Sequence, residues 1–191
     1  FNCITSIKAA KPNLSYEVIV VDNDEQKTIK LPLLETFPNV QYIASPSNVG
    51  FGAGNNIGAK SAKGQYLFFL NPDTVIYKEA NDILAAFLDQ RENVAIVAPL
   101  LIAKNGKPFT LQGSMELTPL TGIFALSFIN KYFPNNPISK RYFLRDWDKK
   151  TLRQVDVVAG SAFLIRNDVF KKIGGFDENM FLFFEEDDLC R

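Results

Sequence analysis

Short apolar runs alternate with amphipathic stretches through the first hundred residues. The apolar runs predict strands, and the stretches between them have the apolar spacing of helices. Such an alternation is typical of βαβ units in a mainly parallel sheet with helices on both faces, so the pattern predicts an α/β fold. The predicted strands cover residues 17–22, 40–44, 65–70 and 94–98, and the predicted helices cover 31–37, 53–61 and 79–89.

After Pro99 the rhythm changes, and the pattern predicts a mixed second half. We therefore divide one domain of 191 residues into a nucleotide-binding half, 1–99, and a second half, 100–191. Gly160 interrupts the long apolar run, and Asn167 and Gly174 are the expected cap and end of a helix. The predicted elements are a hairpin at 100–111, a helix at 117–132, a loop at 133–150, a strand at 155–165 and a helix at 168–173.

Composition narrows the function classes. Hydrophobic residues make up 47% and charged residues 22%, which is ordinary for a globular domain with a real core. The 21 basic and 21 acidic residues cancel, so nothing predicts a nucleic-acid partner. No apolar run approaches the ~20 residues of a membrane span. Cys3 and Cys190 lie at opposite ends, which favours a reducing compartment over a disulfide framework.

The chain has no histidine. The commonest general base and the commonest transition-metal ligand are therefore excluded together. Proton transfer falls to carboxylates, Lys, Tyr or Cys, and a metal would be a hard cation on oxygen ligands.

Two predicted strands end in acid and amide clusters. One ends at Asp22-Asn23-Asp24 and the other, LFFL, runs into Asn71-Pro72-Asp73. These residues are common in turns. In an open parallel sheet, however, ligands bind beyond the carboxyl ends of strands, so a ligand site at this edge is as plausible as two turns.

Residues 48–58 (NVGFGAGNNIG) are rich in glycine and asparagine. The glycines resemble a dinucleotide fingerprint, which predicts a nicotinamide-dependent oxidoreductase, but eight residues separate Ile43 from Gly52 where the fingerprint needs none. The alternatives are a loop with packing glycines, or a helix N-terminus that donates N–H groups to phosphate while Asn48, Asn55 and Asn56 contact a ligand.

Residues 181–191 (FLFFEEDDLCR) put four acids after an aromatic run. The acids suit the first turn of a helix, where Glu185 and Asp188 would share a face and Glu186 would point elsewhere. Nearby phenylalanines would desolvate a carboxylate and raise its pKa toward that of a useful base. A helix start and a catalytic site are equally consistent with this stretch.

Four motifs in this order closely resemble the family 2 glycosyltransferases, in the branch that includes rhamnosyltransferase-like enzymes. They are VVDN, NVGFGAGNNIG, FLNPDT and VAGSAFLIRNDVFKKIGGFDENMFLFFEEDDLC. The resemblance implies the GT-A fold, with a Rossmann-like sheet joined to an acceptor half. It implies inverting transfer of a sugar from a dTDP- or UDP-linked donor to a hydroxyl of a glycan or lipid-linked acceptor, in surface polysaccharide synthesis.

The resemblance also implies residue roles. Asp22 would contact the nucleobase, and Asn55 or Asn56 would lie beside the nucleotide. Asn71-Pro72-Asp73 occupies the family's D-x-D position, with Asp73 as ligand to Mg²⁺ or Mn²⁺. Glu186 would be the base, with Glu185 and Asp188 supporting it or holding the acceptor.

The chain departs from the family pattern in two respects. Asn71 replaces the first Asp of D-x-D, which leaves a neutral oxygen ligand. The family's opening strand would lie before Phe1 and the chain stops just after the base motif, so we expect a domain truncated at both ends. A catalytically degenerate sugar-nucleotide-binding module is therefore an alternative to an enzyme. The expected location is the cytoplasm, which allows peripheral association with the inner face of the membrane. The acceptor preference is expected to lie in residues 112–154.

Overall fold

A computed structural model describes all residues 1–191 and contains two compact units. The first unit comprises residues 1–99 and 160–189, and the second comprises 100–159 with 190–191. The strands are β1 Ile19–Asp22, β2 Gln41–Ala44, β3 Tyr66–Leu70, β4 Ile96–Val97, β5 Gly113–Ser114, β6 Val157–Val158 and β7 Ala162–Arg166. The helices are α1 Asn2–Ala10, α2 Lys30–Thr36, α3 Phe51–Ser61, α4 Ala80–Asp89, α5 Pro119–Ala125, α6 Phe128–Tyr132, α7 Pro137–Tyr142, α8 Asn167–Ile173 and α9 Glu185–Leu189.

The first unit has the α/β architecture that the apolar pattern predicts. β1 and β2 pair in parallel, with Asp22 opposite Ala44 at their carboxyl ends. β7 lies between β3 and β4 and runs antiparallel to both, so the parallel arrangement is broken at this strand. β1 and β3 do not pair with each other. The two acid and amide clusters therefore end strands of separate hydrogen-bonded ladders.

Each ladder is covered by helices. Ile4 of α1 and Leu33 of α2 form a core cluster beside β1 and β2, and Leu84 and Leu88 of α4 pack on Leu164 of β7. Both clusters follow from amphipathic helices that place aliphatic side chains on one face. A third packing centre is aromatic and consists of Phe69, Phe163, Phe170 and Phe176, whose rings lie 5.1 to 6.3 Å apart.

The second unit contains β5, β6 and the helices α5 to α7. The predicted hairpin forms as an antiparallel bridge between Ile102 and Pro108, with backbone hydrogen bonds from the Ala103 N–H to Lys107 and from the Phe109 N–H to Leu101. The predicted helix at 117–132 is two helices, α5 and α6. The predicted loop at 133–150 is wrong at α7, because Asn136 accepts a hydrogen bond from the Ser139 N–H and Pro137 occupies the first turn. None of the helices of either unit has the length and apolarity needed to cross a membrane.

Two further expectations differ from the structure. The compact units do not coincide with a division at residue 99, because β7 returns to pair with β3 and β4 and residues 160–189 belong to the first unit. Asn167 does not cap α8 but begins it, and its side chain donates to the Gly64 carbonyl at 2.6 Å. Gly174 ends α8 in the left-handed conformation, as predicted (φ 89°).

Candidate active site

The end of β3 presents two unbonded polar side chains. The Asn71 N–H donates to the Ser161 carbonyl at 3.0 Å, and the Asn71 carbonyl accepts from Thr74 Oγ1 at 2.7 Å. Backbone groups thus hold the Asn71-Pro72-Asp73 turn, while the partly buried Asn71 amide makes no hydrogen bond. The Asp73 carboxylate is exposed and accepts no hydrogen bond. Both oxygens of Asp73 are therefore available to a ligand.

The turn before β7 connects this motif to the acidic helix α9. Ser161 bonds Asn71, and its neighbour Gly160 lies against the Glu186 carboxyl group. A methyl group at Gly160 would lie 3.3 Å from Oε1 and 3.4 Å from Oε2 of Glu186, which is closer than most real contacts of this kind. One turn thus brings Glu186 into the neighbourhood of Asn71, and the bare backbone at Gly160 leaves room for the carboxylate.

The other acids of α9 have different surroundings. Glu185 is 1% exposed, its Oε1 has no hydrogen-bond partner, and its Cγ would lie 3.5 Å from a methyl group at Gly52. Asp188 is exposed, on the side of the helix open to solvent. Glu185 is therefore buried within the protein, and Glu186 is the acid that borders the turn.

Asp187, which the sequence did not single out, is partly buried, and its Oδ1 has no partner. Desolvation raises the pKa of the Asp187 carboxyl, and the neighbouring charge of Glu186 raises it further. The raised pKa expected for an acid in this helix is thus found at Asp187.

The aromatic loop before α9 has an unusual backbone. Phe183 and Phe184 both have positive φ, 73° and 70°, and their side chains are 71% and 48% exposed. Left-handed φ at bulky residues costs of order 1–3 kcal/mol each and is found mainly where a function fixes the backbone. The loop is anchored by the Phe181 carbonyl, which accepts a hydrogen bond from the Phe51 N–H at 3.1 Å.

At the end of β1, Asp22 is buried and its oxygens are engaged within the protein. Oδ2 accepts from the Tyr42 hydroxyl at 2.7 Å, and Oδ1 accepts from the Asp24 N–H at 2.9 Å. Desolvation and the bond to Asp22 raise the pKa of Tyr42 to about 12. Asp22 thus presents a carboxylate fixed in one orientation.

The glycines of the 48–58 stretch are packing residues. Gly52, Gly54 and Gly58 lie inside α3, where the first two are buried. A methyl group would lie 3.0 Å from Phe176 Cβ at Gly52, 2.9 Å from Asn23 Nδ2 at Gly54 and 3.1 Å from Val21 Cγ2 at Gly58. The glycines lie inside the helix and not in a loop after a strand, which does not support the dinucleotide fingerprint, and the first N–H of α3 is taken by Phe181 and is not free for a phosphate.

The three asparagines of this stretch have different positions. Asn48 is exposed and its Oδ1 accepts from the Gly50 N–H at 3.3 Å. Asn55 is half-buried and donates to the Phe51 carbonyl at 3.1 Å. Asn56 is 5% exposed, donates to the Phe176 carbonyl and Glu178, and accepts from the Phe176 N–H. Because both ends of its amide are bonded within the protein, the position of Asn56 does not support a contact with nucleotide.

A hard divalent cation fits the donors at the end of β3. Asp73 offers an unbonded carboxylate and Asn71 a neutral amide oxygen, and such oxygens suit Mg²⁺ or Mn²⁺. No group of three His, Cys, Asp or Glu side chains is arranged to hold a metal ion. The residues present would therefore supply one or two ligands, as in sites where substrate phosphates complete the coordination.

The sequence did not predict Tyr42 as a partner of Asp22, nor the contacts that Asn23 and Gly160 make. Asn23 donates to the Gly50 carbonyl at 2.8 Å and fixes the entry to α3. Nothing in the apolar pattern pairs Tyr42 with Asp22, because the contact depends on the register of two strands. The break at Gly160 was the available signal for a close approach, although it did not identify Glu186.

Comparison with known proteins gives sequence relatives along most of the chain. Curated relatives include the low-salt glycan biosynthesis hexosyltransferase Agl10 of Haloferax volcanii, with 28% identity over 91% of this chain and 52% of the relative. Another is the rhamnosyltransferase WbbL of Escherichia coli, with 29% identity over 92% and 65%. A third is the N-acetylglucosaminyl-diphospho-decaprenol L-rhamnosyltransferase of Mycobacterium tuberculosis, with 23% identity over 90% and 59%. The chain thus spans between half and two thirds of the length of these relatives.

Solved structures confirm the fold. One is GalNAc-T7, crystallised with UDP, GalNAc and Mn²⁺. The superposition covers 98% of this chain and 36% of the GalNAc-T7 chain, with a TM-score of 0.66 and 17% sequence identity. Another is S. aureus TarS 1-349 in complex with UDP. This superposition covers 99% of our chain and 49% of the TarS chain, with a TM-score of 0.61 and 18% sequence identity. The sequence profile of "Glycosyl transferase family 2" matches residues 2–174. The α/β fold is that of the GT-A glycosyltransferases, and the chain belongs to glycosyl transferase family 2.

Proposed function

We propose that this chain forms the donor-binding and catalytic part of an inverting glycosyltransferase. It would transfer a sugar from a dTDP- or UDP-linked donor to a hydroxyl of a glycan or lipid-linked acceptor. One observation carries the proposal: a single turn contacts both Asn71 and Glu186. The Ser161 carbonyl accepts a hydrogen bond from the Asn71 N–H, and the neighbouring Gly160 lies against the Glu186 carboxyl group. This brings a carboxylate base close to a motif that suits a metal-bound diphosphate.

In this proposal Glu186 accepts the proton of the acceptor hydroxyl as that oxygen attacks the anomeric carbon. General-base catalysis of this kind contributes typically 10²–10⁴-fold. No histidine competes for the role, and Glu186 borders the turn while Glu185 is buried. Asp188, exposed on the same short helix, is the candidate to hold an acceptor hydroxyl.

Asp73 and Asn71 would hold Mg²⁺ or Mn²⁺ with the donor diphosphate. When bound, the cation neutralises charge on the leaving group. The support is the free carboxylate at Asp73 and the Mn²⁺ and UDP named for the GalNAc-T7 structure. Asn71 lowers the local negative charge by one relative to a pair of aspartates, which makes the diphosphate a more important part of the site.

The nucleoside is proposed to contact Asp22 and the exposed parts of the 48–58 stretch. Tyr42 and the Asp24 N–H hold the Asp22 carboxylate in place, and its remaining lone pairs are available to an N–H of a base. Asn48 and Asn55 stay candidates for nucleotide contact, since each keeps part of its amide unbonded.

The acceptor class is proposed from the relatives. A glycan biosynthesis hexosyltransferase and two rhamnosyltransferases are among them, and the name of one gives a diphospho-decaprenol acceptor. A glycan or lipid-linked acceptor in polysaccharide synthesis is therefore the proposed substrate, and the cytoplasmic side of a membrane is the proposed place.

A thermal-shift screen tests the proposed function. The chain is heated with UDP, dTDP, their sugar conjugates or NAD, each with and without Mn²⁺. We expect UDP or dTDP compounds to raise Tm in the presence of Mn²⁺, because a ligand at 100 times its Kd stabilises by about 2.7 kcal/mol. A shift with NAD alone would contradict the proposal and favour the oxidoreductase. Donor binding without release of nucleoside diphosphate in the presence of any acceptor would favour the degenerate binding module.

A further inference from the structure

Charge is divided unequally between the two units. The second unit carries ten Lys and Arg against four Asp and Glu, a net charge of +6, whereas the first carries 11 against 17, a net charge of −6. The balance of the whole chain conceals this difference. A strongly basic unit in a neutral chain points to a negatively charged partner for that unit.

Within the second unit the positive charge is concentrated in residues 117–145, which we call the basic aromatic segment. It contains four basic residues and no acidic residue. None of the four takes part in any of the ion pairs of the structure. These cations are Lys131, Lys140, Arg141 and Arg145, and all of them are exposed.

The same segment exposes large apolar side chains. Leu120 and Ile123 of α5 are 56% and 55% exposed and lie one turn apart, and Phe128 and Tyr132 of α6 are 71% and 69% exposed with the same relation. Phe133, next in sequence, is 69% exposed. Single exposed apolar residues are ordinary, but five of this size on two consecutive short helices are not.

These outward side chains are not a displaced part of the core. The inner faces of α5 and α7 are already filled, with Ala125 and Ser139 at most 2% exposed, whereas α6 has no buried residue. The Ser139 hydroxyl donates to the Phe124 carbonyl at 2.8 Å and joins α7 to α5. α5 thus has a packed inner face and a separate apolar outer face, and α6 exposes its apolar side chains without burying any.

We propose that the basic aromatic segment docks on a bilayer surface that contains anionic lipid. Leu, Ile and Phe side chains would enter the boundary between headgroups and acyl chains, Tyr132 would lie at headgroup level, and the four cations would meet lipid phosphates. Aliphatic side chains add nothing to binding along a nucleic-acid backbone, so the exposure of Leu120 and Ile123 in the same segment as the cations favours lipid over RNA. The location of this surface goes beyond the proposed function, and vesicle binding requires no catalysis.

Sedimentation of the chain with lipid vesicles tests the proposal. We expect binding to vesicles of phosphatidylcholine with one third phosphatidylglycerol, weaker binding to phosphatidylcholine alone, and loss of binding as salt rises from about 0.1 to about 0.5 M. Each cation near an anionic surface contributes about 1 kcal/mol, so Lys140→Gln with Arg141→Gln should weaken partitioning about 30-fold. The matched control, Lys104→Gln with Lys107→Gln, removes the same charge from the same unit outside the segment and should change it far less.

A second variant tests how much the exposed apolar side chains contribute to vesicle binding. Phe128→Ser with Tyr132→Ser keeps every charge and should reduce binding at least tenfold, while Leu31→Ser, at a 70% exposed residue of the first unit, should leave it unchanged. Unaltered circular dichroism and Tm would show that these surface variants fold. Failure to bind anionic vesicles, equal binding by the variants and their controls, or displacement of the vesicles by an RNA homopolymer would overturn the proposal. None of these results would bear on nucleotide binding by the first unit.

Discussion

β1 ends in an aspartate, Asp22, and a second aspartate, Asp73, follows the end of β3, but the fold treats the two carboxylates in opposite ways. Asp22 is 4% exposed and both of its oxygens accept hydrogen bonds, from Tyr42 and from the Asp24 N–H. Asp73 is exposed and accepts none. A carboxylate that accepts hydrogen bonds within the protein stabilises the fold and is held in one orientation. A carboxylate without such bonds can bind a cation without loss of contacts within the protein.

The same difference separates Asn56 from Asn71. The Asn56 amide is bonded at both ends to the 176–178 segment, and the Asn71 amide is unbonded. Side chains of the first kind should affect stability when changed, and side chains of the second kind should affect ligand binding or catalysis. The following variants test this division.

Glu186→Gln should lower the rate of sugar transfer about 10²–10⁴-fold, since it removes the proposed base and keeps the shape of the side chain. Stability and nucleotide affinity should stay nearly unchanged. Release of nucleoside diphosphate in the presence of acceptor gives the rate, and calorimetry gives the affinity. Glu92→Gln, at an exposed acid that follows α4, is the control. Turnover equal to that of the unaltered protein would rule out Glu186 as the base.

Tyr42→Phe should destabilise the protein by about 1–3 kcal/mol, because it leaves a buried carboxylate oxygen of Asp22 without its donor. Urea unfolding measures the change, with Tyr77→Phe as the control at a 68% exposed tyrosine. A loss of nucleotide affinity with no loss of stability would place Asp22 among the free carboxylates and break the comparison.

The same tyrosine predicts a pH dependence. Its pKa is raised to about 12 in the folded protein, while an unfolded tyrosine ionises near pH ~10. Between these values the unfolded chain loses a proton that the folded chain keeps, so stability should fall as the pH rises through this window. Tyr42→Phe should make that decline shallower, and an unchanged slope would contradict the assignment.

Gly160→Ala should slow transfer roughly tenfold, because the new methyl group would displace the Glu186 carboxyl group by a few tenths of an ångström. Here Gly160 acts as a positioning residue, so kcat should fall while the KM for the donor stays constant. Gly122→Ala is the matched control, since its methyl group would meet only Leu117 at 3.9 Å. A changed donor KM together with a lower Tm would indicate a structural role alone.

Asp187→Asn should raise stability near neutral pH by less than about 1 kcal/mol, since the carboxyl is only partly buried. The folded protein holds this proton more tightly than the unfolded chain does, because burial and Glu186 raise the pKa. The charged form therefore costs stability at neutral pH, and that cost disappears as the pH falls through the folded pKa. Tm measured against pH checks this, with the exposed Asp188→Asn as the control. An equal or lower Tm for Asp187→Asn at neutral pH would contradict it.

Local patterns predicted much of the first unit. The strands β1 to β3 and the helices α2 to α4 lie within about three residues of their predicted positions, because each has its own apolar period and end signals. The insertion of β7 between β3 and β4 was not predicted, since it depends on a return of the chain after more than sixty residues. Helix α7 begins at Asn136-Pro137, where Asn136 caps the helix. This start was not predicted, because Asn and Pro are also common in loops.

The sequence predicted which residue types form the candidate site. It did not predict which of their side chains are hydrogen-bonded within the protein. Acids and amides at strand ends indicated Asp22, Asn71 and Asp73, and the resemblance to a family gave them roles. The sequence does not show that Asn56 is bonded to residues more than a hundred positions away. Nor does it show which acid of α9 borders Gly160, because that depends on where β7 and α9 meet.

Asp73 is proposed to hold a divalent cation only together with the donor diphosphate, and calorimetry can measure this coupling. The chain is titrated with Mn²⁺ alone, with UDP or dTDP alone, and with each nucleotide in the presence of Mn²⁺. We predict little binding of Mn²⁺ alone, because no group of three acids is arranged to hold it, and a clear gain in nucleotide affinity when Mn²⁺ is present. Asp73→Ala should abolish that gain, and Glu92→Gln should preserve it. A gain of the same size in Asp73→Ala would contradict the account.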